Sequence, residues 1–251
     1  MVGMLGLQVT RMDAGQSYPD LHVCYANAAT YPLTAPYRRP SGGGLYGRIP
    51  RSLSIIFTTL ANTPCDDYDA GARTLTLGRG FARLRARLHL GSGGNGLTGL
   101  RDALCDYEAA RFDDGEGGQV APFARLDVDA ARPLSDCRIV FTDGFARLLS
   151  LEPKPLPCDA LTVLHGAILM DLLVLAAVYC PEDRRLVTTV DDLRNVLPAT
   201  SKSSVTAKSL RAYATRLNAA QSDWVFSYDR RMWCVQRRGA RVSKHDFARL
   251  R

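Results

Sequence analysis

The sequence predicts a mainly helical α+β fold, and three observations predict it. Apolar residues recur at helical spacing in several segments, among them Leu53, Ile56, Phe57 and Leu60, and again Leu210, Tyr213, Ala214 and Leu217. Short alternating or aromatic runs lie between those segments, at 74–77, 120–128, 138–141, 186–190 and 224–236. The order of helix, strand, helix, helix and hairpin occurs in 45–142 and recurs in 143–251. That is the element order of a winged helix. The expected architecture is therefore two tandem winged-helix domains with short β-hairpin wings, preceded by an irregular arm and linker over 1–44.

The arm holds Pro32, Pro36 and Pro40, has no hydrophobic period, and ends in Ser41-Gly42-Gly43-Gly44. Pro50 suits a helix start. A second helix is spaced by Phe81, Leu84 and Leu88, with Arg79, Arg83, Arg85 and Arg87 outside it. A third runs from Leu97 to about Phe112 through Leu97, Leu100, Leu104 and Tyr107. An acidic, glycine-rich break follows at 113–118, then a strand pair. In the second unit a short helix covers 143–151, and Pro153, Pro155 and Pro157 predict a stiff bend. Helices are expected over 158–164 and over 166–180. The latter is apolar almost all round, as a helix central to a core would be. A strand near Leu186 and a helix over 191–197 complete the unit up to its last helix and hairpin.

Composition narrows the function. The chain has 251 residues, 46% hydrophobic and 23% charged, and a net charge of +7. From Ala199 to Arg251 there are twelve Lys or Arg against Asp223, Asp229 and Asp246, a local surplus of +9. All the excess positive charge thus lies in the last fifth of the chain, which suits a polyanionic partner. The seven cysteines are scattered, none paired as C-x-x-C, and the four histidines do not cluster with them. Zinc and disulfide frameworks are not expected, and reduced thiols in a cytoplasmic protein are. The start of the chain lacks the pattern of a signal peptide. The longest apolar stretch is too short for a membrane span, which needs roughly 20 residues.

The basic surplus has a geometry. On a helix spanning Ser201 to Ala220, Leu210, Tyr213, Ala214 and Leu217 share the core face. Ser204, Lys208, Arg211 and Thr215 share the opposite one, with Lys202 in the same basic opening and no carboxylate on that face. A hairpin follows, its strands Trp224–Tyr228 and Met232–Gln236 joined at Asp229-Arg230-Arg231. Such a helix fits the major groove, and such a hairpin tip reaches phosphates. Lys208 and Arg211 are expected to read base edges or flanking phosphates with Ser204 and Thr215 supporting. Arg230, Arg231, Arg237 and Arg238 are expected to hold the backbone. The third helix has a mixed face of Thr98, Arg101, Asp102 and Cys105, with Asp106 and Glu108 nearby. Carboxylates repel phosphates, so Arg101 is a weaker DNA-binding candidate, and the first unit is expected to assist or to serve as a protein–protein surface. Trp224 and Trp233 suit cross-strand packing better than base stacking.

No catalytic residues, metal ligands or cofactors are expected. Gly91–Gly96 lacks the Lys-Ser/Thr that a phosphate loop requires. No His-x-His pair exists for a nicking enzyme, and no Gly-x-Ser-x-Gly elbow for a hydrolase. Asp66-Asp67, Asp113-Asp114 and Asp191-Asp192 suit loops and helix starts.

Tyr46-Gly47-Arg48-Ile49-Pro50-Arg51, Leu75-Thr76-Leu77-Gly78-Arg79 and Gly94-Asn95-Gly96 with Leu100-Arg101-Asp102 resemble the first half of plasmid-encoded RepA replication initiator proteins. Ile139-Val140-Phe141-Thr142-Asp143-Gly144-Phe145, Pro155–Leu161 and Ala167–Leu172 resemble the second half of that family. The pieces are collinear from about Gly44 to Arg238. The resemblance implies a non-enzymatic initiator that binds repeated double-stranded DNA sites at an origin and brings in a host helicase or initiator protein, with a homodimer among its admissible forms. A winged-helix transcriptional regulator or a protein-docking adaptor is the alternative; in the adaptor, the long apolar helix and the mixed third helix are the working surfaces.

Overall fold

The computed structural model describes residues 5–8, 48–62, 65–90, 94–113, 118–129, 131–150, 153–180, 185–196, 205–239 and 247–248. Most of the arm, the glycine run at 91–93, the acidic break at 114–117 and residues 201–204 lie outside them. The described residues form a mixed α/β structure with eight α-helices and two four-stranded sheets.

Helix α1 (Arg48–Asn62) is the centre of the first half. One apolar face was expected. Instead every residue from Pro50 to Leu60 is buried, so its polar groups require internal partners. Thr59 Oγ1 donates to the Ile55 carbonyl at 2.7 Å, the Tyr107 hydroxyl donates to the Pro50 carbonyl at 2.9 Å, and Ser54 and Tyr107 share a hydrogen bond. Strands β2 (Tyr68–Asp69) and β3 (Thr74–Thr76) form a hairpin. Helix α2 (Arg79–Arg87) starts against Asp67, whose Oδ2 accepts the Phe81 amide at 2.8 Å. Asp67 therefore serves a helix start. The close approach of its carboxylate leaves no room for a side chain at Gly78.

Helix α3 (Gly94–Ala109) begins three residues before the expected Leu97 and buries Leu100, Leu104 and Tyr107, with Leu97 only half-buried. Strands β4 (Phe112–Asp113) and β5 (Gln119–Val120) flank the acidic break and pair across it. Strands β6 (Phe123–Asp127) and β7 (Arg138–Phe141) complete an antiparallel sheet in the order β2-β3-β7-β6. A 3₁₀ turn at Leu134–Asp136 precedes β7. Phe57, Tyr107, Phe112, Phe123, Phe141 and Phe145 make one aromatic cluster, with Phe57 and Phe141 centroids 5.4 Å apart.

Helix α4 (Asp143–Ser150) follows. The predicted proline bend is a strand, β8 (Pro153–Leu156), antiparallel to β1 (Leu5–Gln8) from the segment read as an irregular arm. The proline φ angle suits extended chain, and the alternation Pro-Lys-Pro-Leu leaves the Lys154 and Leu156 amides in the strand as donors. Helix α5 (Cys158–Val163) leads to α6 (Ala167–Tyr179). From Leu169 to Ala177 every residue of α6 is at most 5% exposed. That burial removes the long apolar helix as a docking surface: its apolar sides are covered by the protein itself.

Strand β9 (Arg185–Thr189), helices α7 (Val190–Val196) and α8 (Ala207–Ala220), and strands β10 (Trp224–Asp229), β11 (Met232–Arg237) and β12 (Phe247–Ala248) complete the chain. The second sheet has the order β10-β11-β9-β12, with β12 parallel to β9 and the other pairs antiparallel. Helix α1 packs on α4 and α6, across the expected boundary at 142. At that contact Arg51 and Asp171 form a buried ion pair.

Candidate nucleic-acid interface

Helix α8 starts at Ala207, six residues later than the sequence suggested. Thr206 is its N-cap: its side chain accepts the Ser209 amide at 3.2 Å, while Ser209 Oγ accepts the Thr206 amide at 2.8 Å. Hydroxyl side chains compete for backbone groups, so the Ser/Thr-rich approach ends in a cap and does not extend the helix. Arg194 Nε and Nη2 both donate to the Val205 carbonyl, at 3.0 and 2.8 Å, and fix the entering chain. Lys202 and Ser204 lie outside the described residues.

Leu210 and Leu217 are fully buried and Ala214 nearly so, while Tyr213 is half-buried. Lys208, Arg211, Ala212, Thr215, Arg216 and Ala219 are exposed. The Thr215 hydroxyl donates back to the Arg211 carbonyl at 3.1 Å, which leaves its oxygen available to accept. Arg216 was missed as a site residue, although it falls one turn after Ala212 on the same wheel. Among the described residues, no carboxylate forms an ion pair with Lys208, Arg211 or Arg216.

Strands β10 and β11 are joined by a two-residue loop, Arg230-Arg231, with Asp229 opposite Met232. Arg230 and Arg231 have φ of 46° and 66°. Consecutive left-handed residues define the tight hairpin turn that Asn-Gly adopts most readily. For two arginines the conformation costs about 1 kcal/mol or more each. The Asp229 carboxylate accepts the Arg230 amide at 2.8 Å and lies 3.8 Å from its guanidinium. Arg230 and Arg231 are both exposed.

Three ties orient the helix on the hairpin. The Arg211 guanidinium sits 5.7 Å from the Tyr228 ring centroid. Asn218 exchanges two hydrogen bonds of 2.8 Å with the Phe226 amide and carbonyl. Gln221 does the same with Trp224, at 2.7 and 2.9 Å. Helix and strand therefore run antiparallel, and the Lys208–Arg211 end of α8 stands beside the hairpin tip. Lys208, Arg211, Arg230 and Arg231 share one end of this unit.

Arg237 and Arg238 do not. They occupy the base of the hairpin, roughly 17 Å from the tip at about 3.3 Å per strand residue. Arg237 lies 5.6 Å over the Trp224 ring, and Arg238 Nε donates to the Ser222 carbonyl at 2.9 Å. Arg101 is half-buried and donates to the Arg132 carbonyl at 3.0 Å, so it braces a loop. On the same helix, Asp106, expected near the outer face, is fully buried. Trp224 and Trp233 are buried too: Trp224 Nε1 donates to the Cys180 carbonyl at 2.9 Å, and Trp233 packs 5.8 Å from Phe226.

Among the described residues no group of His, Cys, Asp and Glu could hold a metal ion, and no helix is long and apolar enough to cross a membrane. No protein-family model matches the chain, and no curated protein matches it.

Proposed function

We propose that this protein is a plasmid replication initiator that binds repeated double-stranded DNA sites at an origin through two tandem winged helices and recruits host replication proteins, a helicase or an initiator. One observation carries the reading: the carboxylate-free outer face of α8 ends in Lys208 and Arg211 beside the strained Arg230-Arg231 tip. A helix of this length, about 21 Å, spans the width of a major groove with its cationic end inward. Lys208 and Arg211 then reach base edges or flanking phosphates, Arg216 widens the cationic face, and the tip meets the neighbouring backbone. Arg101 braces a loop and Arg237 and Arg238 stand at the far end of the hairpin, so these three contribute through the long-range field. The resemblance of the segments from Gly44 to Arg238 to RepA initiators supports an origin as the DNA target.

Gel-shift titration of the full chain on duplexes tiling the DNA beside its coding region tests the reading, with binding expected at short direct repeats there. Lys208→Ala with Arg211→Ala should weaken binding, lowering the salt slope by about one per phosphate cation lost. A base-reading side chain should account for about 1–3 kcal/mol on the specific site. Unchanged affinity in the double variant refutes the assignment of α8. Footprints at promoters without origin repeats would instead identify a transcriptional regulator.

A further inference from the structure

A second surface of this protein lies on the opposite half of the chain and has a different chemistry. Helix α2 contains four arginines and no carboxylate. Its exposed positions Arg79, Ala82, Arg83 and Ala86 recur at helical spacing, so a cationic strip runs along it. Beside the strip, between α2 and the 3₁₀ turn at Leu134–Asp136, a groove of about 240 Å³ opens. Its lining combines the apolar Leu77, Phe81, Ala82 and Leu134 with Arg79, Arg85 and Ser135. Asp136, next to Ser135, accepts the Ser135 hydroxyl at 3.1 Å. The first turn of α2 is already taken by Asp67. An acidic visitor would therefore meet guanidinium groups and not free helix amides.

Two features together select the occupant. Phosphates are satisfied by cations alone, and a duplex presents its backbone without an apolar side chain to enter a groove. An apolar lining with room for one large side chain, combined with arginines, is complementary to a peptide carrying both characters. We propose that this groove docks an acidic segment of a partner protein, seating one Leu- or Phe-sized side chain on Leu77, Ala82 and Leu134 while flanking carboxylates pair with Arg79 and Arg83. This surface does not depend on DNA reading by α8, and it gives the first half of the chain a task that the mixed face of α3 does not.

The probe is a fluorescein-labelled synthetic peptide with one phenylalanine between paired glutamates, titrated into the full chain by anisotropy. Saturable binding is expected. Replacing the peptide's phenylalanine by serine should weaken it about tenfold or more, because the apolar contact is lost. Arg79→Ala with Arg83→Ala, both exposed and safe for the fold, should weaken it several-fold and flatten its salt dependence. Ala82→Trp should fill the groove and abolish it. Absence of saturable binding, or indifference to the phenylalanine or to Ala82→Trp, overturns the proposal. So does a duplex gel shift in which the arginine pair lowers affinity and salt slope while the peptide fails to bind, which would give the face to DNA. Self-association in sedimentation that Ala82→Trp removes would give it to a second copy, and would equally overturn it.

Discussion

Arg51 of α1 and Asp171 of α6 form a two-point ion pair inside the protein, with Nη2 donating to Oδ2 at 2.9 Å and Nε donating to Oδ1. Their exposures are 1% and 0%. The two residues are 120 positions apart and come from the two halves of the chain. Taking both charges out of water is expensive, and their close two-point geometry offsets it. Removing one partner leaves the other buried without the opposite charge it pairs with. Asp171→Ala should therefore lower unfolding free energy by about 3–5 kcal/mol, while Arg51→Met with Asp171→Leu should recover most of it. Urea denaturation measures both, and a loss below about 1 kcal/mol in Asp171→Ala would contradict this account of the contact.

The hairpin tip sets stability against binding. Arg230 and Arg231 hold left-handed backbone that asparagine and glycine adopt at lower cost. Arg230→Asn with Arg231→Gly should raise stability by about 1 kcal/mol or more, read as a higher urea midpoint. The same variant should bind duplex more weakly and with a shallower salt slope. If stability does not rise, the turn is not strained; if duplex affinity is unchanged, the tip does not touch DNA.

Much of this arrangement was legible in the residue pattern. Leu210, Ala214 and Leu217 fall inward, and Lys208 and Arg211 outward, because a single amphipathic helix records its own orientation. The hairpin was legible from its aromatic strands for the same local reason. Most of what escaped depends on partners distant in sequence. β8 was hidden because three prolines suggest a bend until β1 is seen to pair with it. Arg237 and Arg238 carry the same charge as Arg230 and Arg231, and only the register reveals that they stand at the other end of the hairpin. Asp106 sits next to exposed positions on its helix, yet α3 is covered on that side as well. The start of α8 was misplaced because a run of serines and threonines is compatible with a helix and with the cap before it.

The side-chain amides of Asn218 in α8 and of Gln221, its C-cap, guard an edge. β10 is the outer strand of its sheet, and its Trp224 and Phe226 backbone groups are taken by Gln221 and Asn218. Unpaired edges template association with other chains. Asn218→Ala leaves one amide and one carbonyl unmet and should lower stability by about 1–3 kcal/mol. It should also introduce concentration-dependent association in sedimentation. Asn218→Asp, which keeps the acceptor for the Phe226 amide but loses the donor, should fall between the two. A fully monomeric, equally stable Asn218→Ala would show that the clamp is dispensable.

Cys180 gives the core a pH signature. Burial pushes its thiol up from an ordinary 9.0 to about 12, opposed by a backbone hydrogen bond at Leu186. Its Sγ lies 3.4 Å from the Val235 carbonyl, behind the hairpin. The folded protein therefore keeps this proton where the unfolded chain has released it. The thiol's contribution is fully present below pH 9 and is lost as pH rises toward 12, at a limiting slope of about 1.4 kcal/mol per pH unit. Cys180→Ala should remove that part of the alkaline loss, measured as the difference between the two proteins' urea midpoints from pH 8 to 11. In the native state an alkylating reagent should modify the exposed Cys105 and spare Cys180 until the protein unfolds, since the thiolate is the reactive form. Equal labelling of both at neutral pH would mean that the hairpin opens on the timescale of the reaction.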